Sequence, residues 1–214
     1  TLWVSILAWI IAFTVGSVLG VLRTTPLAIL RAPATVYVEV FRNIPLLVQM
    51  FIWYFVLPKI VPTNMGDWLK TRMPMPEFWN AVLCLGFYTA SRVAEQVRSG
   101  IQSIPRGQTE AGLAMGLTRP QVYRHVLLPM AYRIIVPTLT SEVMNLIKNT
   151  AVAYSIGLVE LFFRTREMAE VTFRYFEVFA AATLIYMAIA FSANRVMAFI
   201  ERRVAVPGYI GGGK

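Results

Sequence analysis

The 214-residue chain has one cysteine, Cys84, and one histidine, His125. A single cysteine excludes an intrachain disulfide and any cysteine-built metal centre, and a lone histidine in an unrelated segment gives no base for a nucleophile. We therefore expect no catalytic residue, metal site or cofactor in this chain. Charge is also scarce: Asp, Glu, Lys and Arg make up 14% of residues, against about 25% in average soluble proteins. The charges are bunched and leave uncharged runs at 1–22, 43–58, 78–91 and 178–194. What fills the runs is apolar. Hydrophobic residues reach 57% and mean hydropathy is +0.60, which excludes both a disordered chain and a water-soluble enzyme and points to a lipid bilayer as solvent.

A spanning helix needs about 20 mostly apolar residues. On that measure, helices are expected near 1–22, 41–58, 77–99, 131–149 and 176–200, an all-α membrane protein with about five spans. The first run lacks a charged leader and reads as a span rather than a signal peptide. The third carries Arg92, Glu95 and Arg98 and the fourth carries Glu142 and Lys148. Residues 149–163 are too short to span and read as a broken or re-entrant continuation of the fourth. Trp53, Tyr54, Trp68 and Trp79 read as an outer interfacial belt.

The net charge of +9 does not form the dense stripe of a nucleic-acid binder, because the basic residues sit between the apolar spans. They set orientation instead. With the first helix starting outside, the loops at 59–77 and 160–177 balance six basic residues against six acidic ones; the opposite side carries twelve against five. Basic excess marks the cytoplasmic face. The spans and their loops form one domain, 1–203, and the Gly-rich 204–214 is expected to be a flexible cytoplasmic tail.

The longest cytoplasmic connection, 103–130, is not built like a linker. Pro105 can open a helix, Gly116 can stop it with a positive φ, and Thr118 with Gln121 has capping-box spacing for a second short helix that Pro129 would end or kink. Met115, Leu117, Val122 and Tyr123 are expected on an exposed face, fit for a partner's groove or for the lipid surface. The sequence has no internal repeat, which argues mildly against an inverted-repeat secondary transporter, the alternative along with a channel.

Glu110-Ala111-Gly112, then Gly116, then Val126-x-Leu128-Pro129 follow the spacing of the EAA loop, and in this the chain resembles the permease subunits of ABC importers. Gly112 stands for the second Ala and Val126 for an Ile. Phe41-Arg42-x-x-Pro45-Leu46-Leu47-Val48-Gln49, the run from Ala94 to Gln108 and Lys148-Asn149-Thr150 are similar to segments of the polar amino acid permeases. The residues around Arg92 resemble those of glutamate/aspartate importers.

The resemblance implies a type I importer permease in the bacterial inner membrane, moving a polar amino acid by alternating access. It implies as partners a second permease subunit, the same or homologous, a periplasmic amino-acid-binding protein and two cytoplasmic ATPase subunits. The ATPases would dock on the loop through Glu110, Ala111, Gly112, Gly116, Leu128 and Pro129. ATP and Mg would be held there, since the chain has no G-x-x-x-x-G-K-[ST] loop of its own. Arg92, Glu95, Lys148, Asn149 and Thr150 are the expected substrate-path residues. Arg92 costs about 2.5–3.5 kcal/mol at membrane depth and needs a partner or a wet cavity. It either clamps a substrate carboxylate or pairs with Glu95 one turn away. Lys148, Asn149 and Thr150 either donate to the substrate or cap a helix end.

Overall fold

A computed structural model of the chain describes residues 1–204, and the expected tail lies almost wholly outside the described residues. Every regular element among the described residues is helical. In chain order they are α1 (Leu2–Thr24), α2 (Ala28–Asn43), α3 (Leu46–Ile60), α4 (Thr63–Asp67, continued by a wide turn over Trp68–Arg72), α5 (Pro76–Gln102), α6 (Arg106–Ala114), α7 (Arg119–Ile156), α8 (Leu161–Thr172) and α9 (Tyr175–Val204).

α5 is the axis of the bundle. α1, α2 and α7 pack around it, and α9 lies outside against α7. α1 meets α5 through Ala8, Ala12, Gly16 and Gly20, spaced four apart and all buried. Small residues at that spacing let two backbones approach closely, which is how helices gain contact where lipid tails offer no hydrophobic drive. The approach leaves no room for a side chain: a Cβ at Gly20 would lie 2.6 Å from Val97 Cβ and 2.7 Å from the Ala94 carbonyl oxygen. One apolar cluster, including Val4, Met50, Leu85 and Leu146, fills the end of the bundle near the start of α1. A second, including Val93, Val97, Ile101, Val122 and Ile135, fills the other end.

Three helices, α1, α7 and α9, are long and apolar enough to cross a membrane on their own, and α2 with α3 makes a fourth candidate as a bent pair. α5 has the length, 27 residues, but not the composition. α1, α2 and α7 cover most of its surface, so only a strip of it is left open.

The second expected span, 41–58, is not one straight helix. The chain bends by 106° between α2 and α3. Pro45 forces Ile44 into extended backbone (φ −91°, ψ 129°) and supplies no N–H. The buried Gln49 side chain repairs the break by donating to the Phe41 and Ile44 carbonyls at 2.8 and 2.9 Å. The stretch after the fourth expected span continues α7 as a tight 3-10 segment, Thr150–Ile156, and stops at Gly157 with φ 84°.

In the 103–130 loop, α6 begins after Pro105 as expected, and Gly116 takes φ 84°. The second short helix is not separate from the fourth span. Pro129 neither ends it nor breaks it. A wide turn over Tyr123–Leu127, in which the Leu128 amide reaches the Tyr123 carbonyl, makes room for the proline ring, and α7 runs unbroken from Arg119.

Candidate functional site

The least-buried strip of α5 is polar. Tyr88, Arg92, Glu95, Gln96 and Ser99 lie along it, while the faces toward α1, α2 and α7 are buried. Such a strip inside a bilayer must face water or another protein.

Arg92 is held from the next helix. Its Nε donates to Glu142 Oε2 of α7 at 2.7 Å, and the Glu142 side chain is 7% exposed against 40% for Arg92. The partner of Arg92 is therefore Glu142, not Glu95 at i+3. One edge of the guanidinium is fixed, and its two terminal nitrogens have no ion-pair partner among the described residues; with the Tyr88 side chain as a neighbour, they form a planar fork that can take a carboxylate bidentately.

Glu95 has a different environment. It accepts from Arg23 Nη1 of α1 at 2.5 Å and from Arg98 through Nε at 3.1 Å and through Nη2, and it lies 3.7 Å from Arg42 Nη1 of α2. Arg23, whose side chain is 9% exposed, also lies 3.8 Å from Glu39. Both oxygens of Glu95 are engaged, so it ties α1, α2 and α5 together and presents no free acceptor.

Lys148 is exposed, Asn149 half-buried and Thr150 buried. The Thr150 hydroxyl donates to the Ile147 carbonyl at 2.7 Å, as a helix-ending residue does. No hydrogen bond or ion pair joins these three to Arg92 among the described residues.

The loop is the second part of the site. Glu110 and Ala111 are exposed, and Glu110 has no partner among the described residues. Gly112 is buried: a Cβ there would sit 3.0 Å from Val122 Cγ2, so the missing methyl lets α6 and the start of α7 close on each other. The Gly116 amide donates to Leu113 and the Leu117 amide to Gly112, closing the C-terminus of α6 in the paired pattern that a left-handed glycine permits. Gln121 Oε1 accepts from the Thr118 amide at 2.8 Å. Leu128 is half-buried and Pro129 exposed.

The expected exposed face shrinks. Met115 remains 82% exposed, but Val122 is buried and Tyr123 turns inward to donate to the Thr24 carbonyl at 3.0 Å. Trp68 and Trp79 are exposed as interfacial residues are, whereas Trp53 stacks on Phe87 and Tyr54 donates to Glu77, both against the core.

Arg23 and Glu39 were not singled out by sequence, and Arg42 and Gln49 only as part of the segment similar to polar amino acid permeases. Their signal was present, since Arg23, Glu39 and Arg42 are charges beside apolar runs and Gln49 lies within one.

Residues 7–206 match the family described as binding-protein-dependent transport system inner membrane component. The chain is 51% identical over 99% of its length to the glutamate/aspartate import permease protein GltJ of Escherichia coli (strain K12), covering 87% of that protein. It is 34% identical over 87% of its length to the probable amino-acid ABC transporter permease protein PatM of Vibrio harveyi, covering 80% of it. A solved amino acid ABC transporter with histidines superposes with TM-score 0.79 at 30% identity, over 94% of this chain and 89% of that one. The MetNI methionine transporter shares the fold at TM-score 0.79 and 23% identity, over 96% and 93%. An all-helical bundle around a polar axis, a Gly-punctuated loop and these likenesses together place the chain in the inner membrane components of binding-protein-dependent transport systems, the permease subunits of ABC importers.

Proposed function

We propose that this chain is the permease subunit of an ATP-driven importer that carries an acidic amino acid, glutamate or aspartate, across the bacterial inner membrane by alternating access. The observation that carries the acidic preference is the Arg92 fork. Glu142 holds it by one edge, it lies on the polar strip of α5 beside Tyr88, and its other edge matches a carboxylate. The 51% identity to a glutamate/aspartate permease supports the same substrate class.

The partners are a second permease, identical or homologous, whose strip completes the path; a periplasmic binding protein; and two cytoplasmic ATPase subunits that hydrolyse ATP. A 30%-identical relative, the glutamate/aspartate import permease protein GltK of Escherichia coli O6:H1, makes a homologous second permease a concrete option. The ATPases dock on the loop, where Glu110 and Met115 are exposed and where Gly112 and Gly116 give the loop its compact shape. The spans and loop act as one domain. Lys148, Asn149 and Thr150 shape the end of α7, with Lys148 and Asn149 open to the path.

The test is ATPase stimulation of the reconstituted complex by acidic, basic and neutral amino acids. Acidic amino acids should stimulate most. Arg92→Ala should cut that stimulation about tenfold or more, the value of a charge-assisted hydrogen bond, with the complex still assembled. Equal stimulation by all three classes would refute the substrate assignment.

A further inference from the structure

At the Thr24 end of α1, a cavity of about 670 Å³ lies between the α1–α2 turn, α6 and the first turn of α7. Three arginines from three elements line it, each exposed: Arg31 of α2, Arg106 of α6 and Arg119 of α7. Six arginines, Arg23, Arg42, Arg92, Arg98, Arg164 and Arg166, have acidic partners, and the others, the cavity's three among them, have none among the described residues; what sets the three apart is that they meet around one cavity. Glu110, one turn from Arg106, forms no pair with it.

The remaining walls favour an anion. The first turn of α6 contains no acidic residue, so its leading amides and the positive end of its dipole are uncompensated. Thr109 brings a hydroxyl with no partner among the described residues. Tyr123, bonded to Thr24, fixes the spacing of α7 from the end of α1. Leu113 and Pro26 add apolar surface beside the charges.

Depth identifies the source of the anion. Thr24 closes a 23-residue apolar helix, a rise of about 35 Å, which puts the cavity at the level of the lipid headgroups. It opens on the side with the basic excess, where anionic lipids attract arginines.

We propose that this cavity binds the phosphate of an anionic phospholipid, with Arg31, Arg106 and Arg119 as its ligands. The site is separate from the Arg92 strip and does not depend on the substrate assignment.

The assembled importer, extracted in mild detergent and examined by native mass spectrometry after exchange into phosphatidylcholine with or without phosphatidylglycerol, tests it. Wild type should retain phosphatidylglycerol that phosphatidylcholine does not displace. Arg31→Gln/Arg119→Gln should lower that retention about tenfold or more, given roughly 1 kcal/mol per arginine at a charged membrane surface, while Arg202→Gln leaves it unchanged. Equal retention by the double variant would overturn the site. Full displacement of the lipid by millimolar inorganic phosphate would reassign the anion to a soluble source and overturn the lipid. Loss of the ATPase subunits from the double variant with lipid retention intact would make the arginines a protein contact, and overturn the proposal as well.

Discussion

α5 and α9 are of similar length, 27 and 30 residues, and opposite in character. α5 carries Arg92, Glu95 and Arg98 and is wrapped by α1, α2 and α7. α9 is apolar through its middle, yet Ala182 is its one buried residue. In a soluble protein those burials would be exchanged. Where the solvent is hydrocarbon, a helix is drawn inward by charges that must find partners and by small residues that let it be approached, while an apolar helix can stay outside. By hydropathy and charge together α9 qualifies as a span on its own and α5 does not, although the uncharged run 78–91 already marks α5 as a helix in the sequence.

The contrast breaks most severely at the α1–α5 contact. Gly20→Val has no space to enter, with backbone and Val97 both under 3 Å from the first added carbon. We expect no monodisperse complex by size-exclusion chromatography; a normal elution profile would mean that α1 is free to move off α5.

Next comes the buried pair. Glu142→Ala strands Arg92 and should destabilise the extracted complex toward the lower end of about 3–5 kcal/mol, because Arg92 is partly exposed. Arg92→Leu/Glu142→Leu should restore thermal stability without restoring acidic-substrate stimulation of the ATPase, a combination that separates holding the helices together from recognising substrate.

Gly112→Ala is smaller. The helix gains about 1 kcal/mol in propensity, and the 3.0 Å approach to Val122 takes some of it back. Melting should shift little and ATP-driven uptake should stay within about twofold of wild type. The least effect belongs to α9, where Leu184→Ala, on a side chain already exposed, should leave the melting midpoint of the extracted complex unchanged. A large drop would mean that α9 is covered in the assembly.

Much of this was legible in advance. The uncharged runs located α1 and α9, and Gly116 and the Thr118–Gln121 spacing located the loop's turn and second start. Two features were not. Pro45 in an apolar run reads as one span until Gln49 is seen rescuing the carbonyls around the break, a long-range use of a side chain that periodicity does not carry. Pro129 reads as a stop until the wide turn before it is seen, because a helix can lengthen one turn to keep its course. The Ala8, Ala12, Gly16, Gly20 spacing was readable and passed unused. The partner of Arg92 was not readable at all, since choosing Glu142 over Glu95 requires knowing which helix faces which.

The unbroken course of α7 links two places that the chain otherwise keeps apart. Arg119 and Val122 begin it beside the loop, and Glu142 stands on it about 35 Å further on, gripping Arg92. On the proposed function, a tilt imposed at one end would change the aim of the guanidinium at the other. By reciprocity, cargo that rewards one aim of that guanidinium must bias the tilt by the same free energy. Under that reading, sensing the load and yielding to the push would share a single coordinate of one helix.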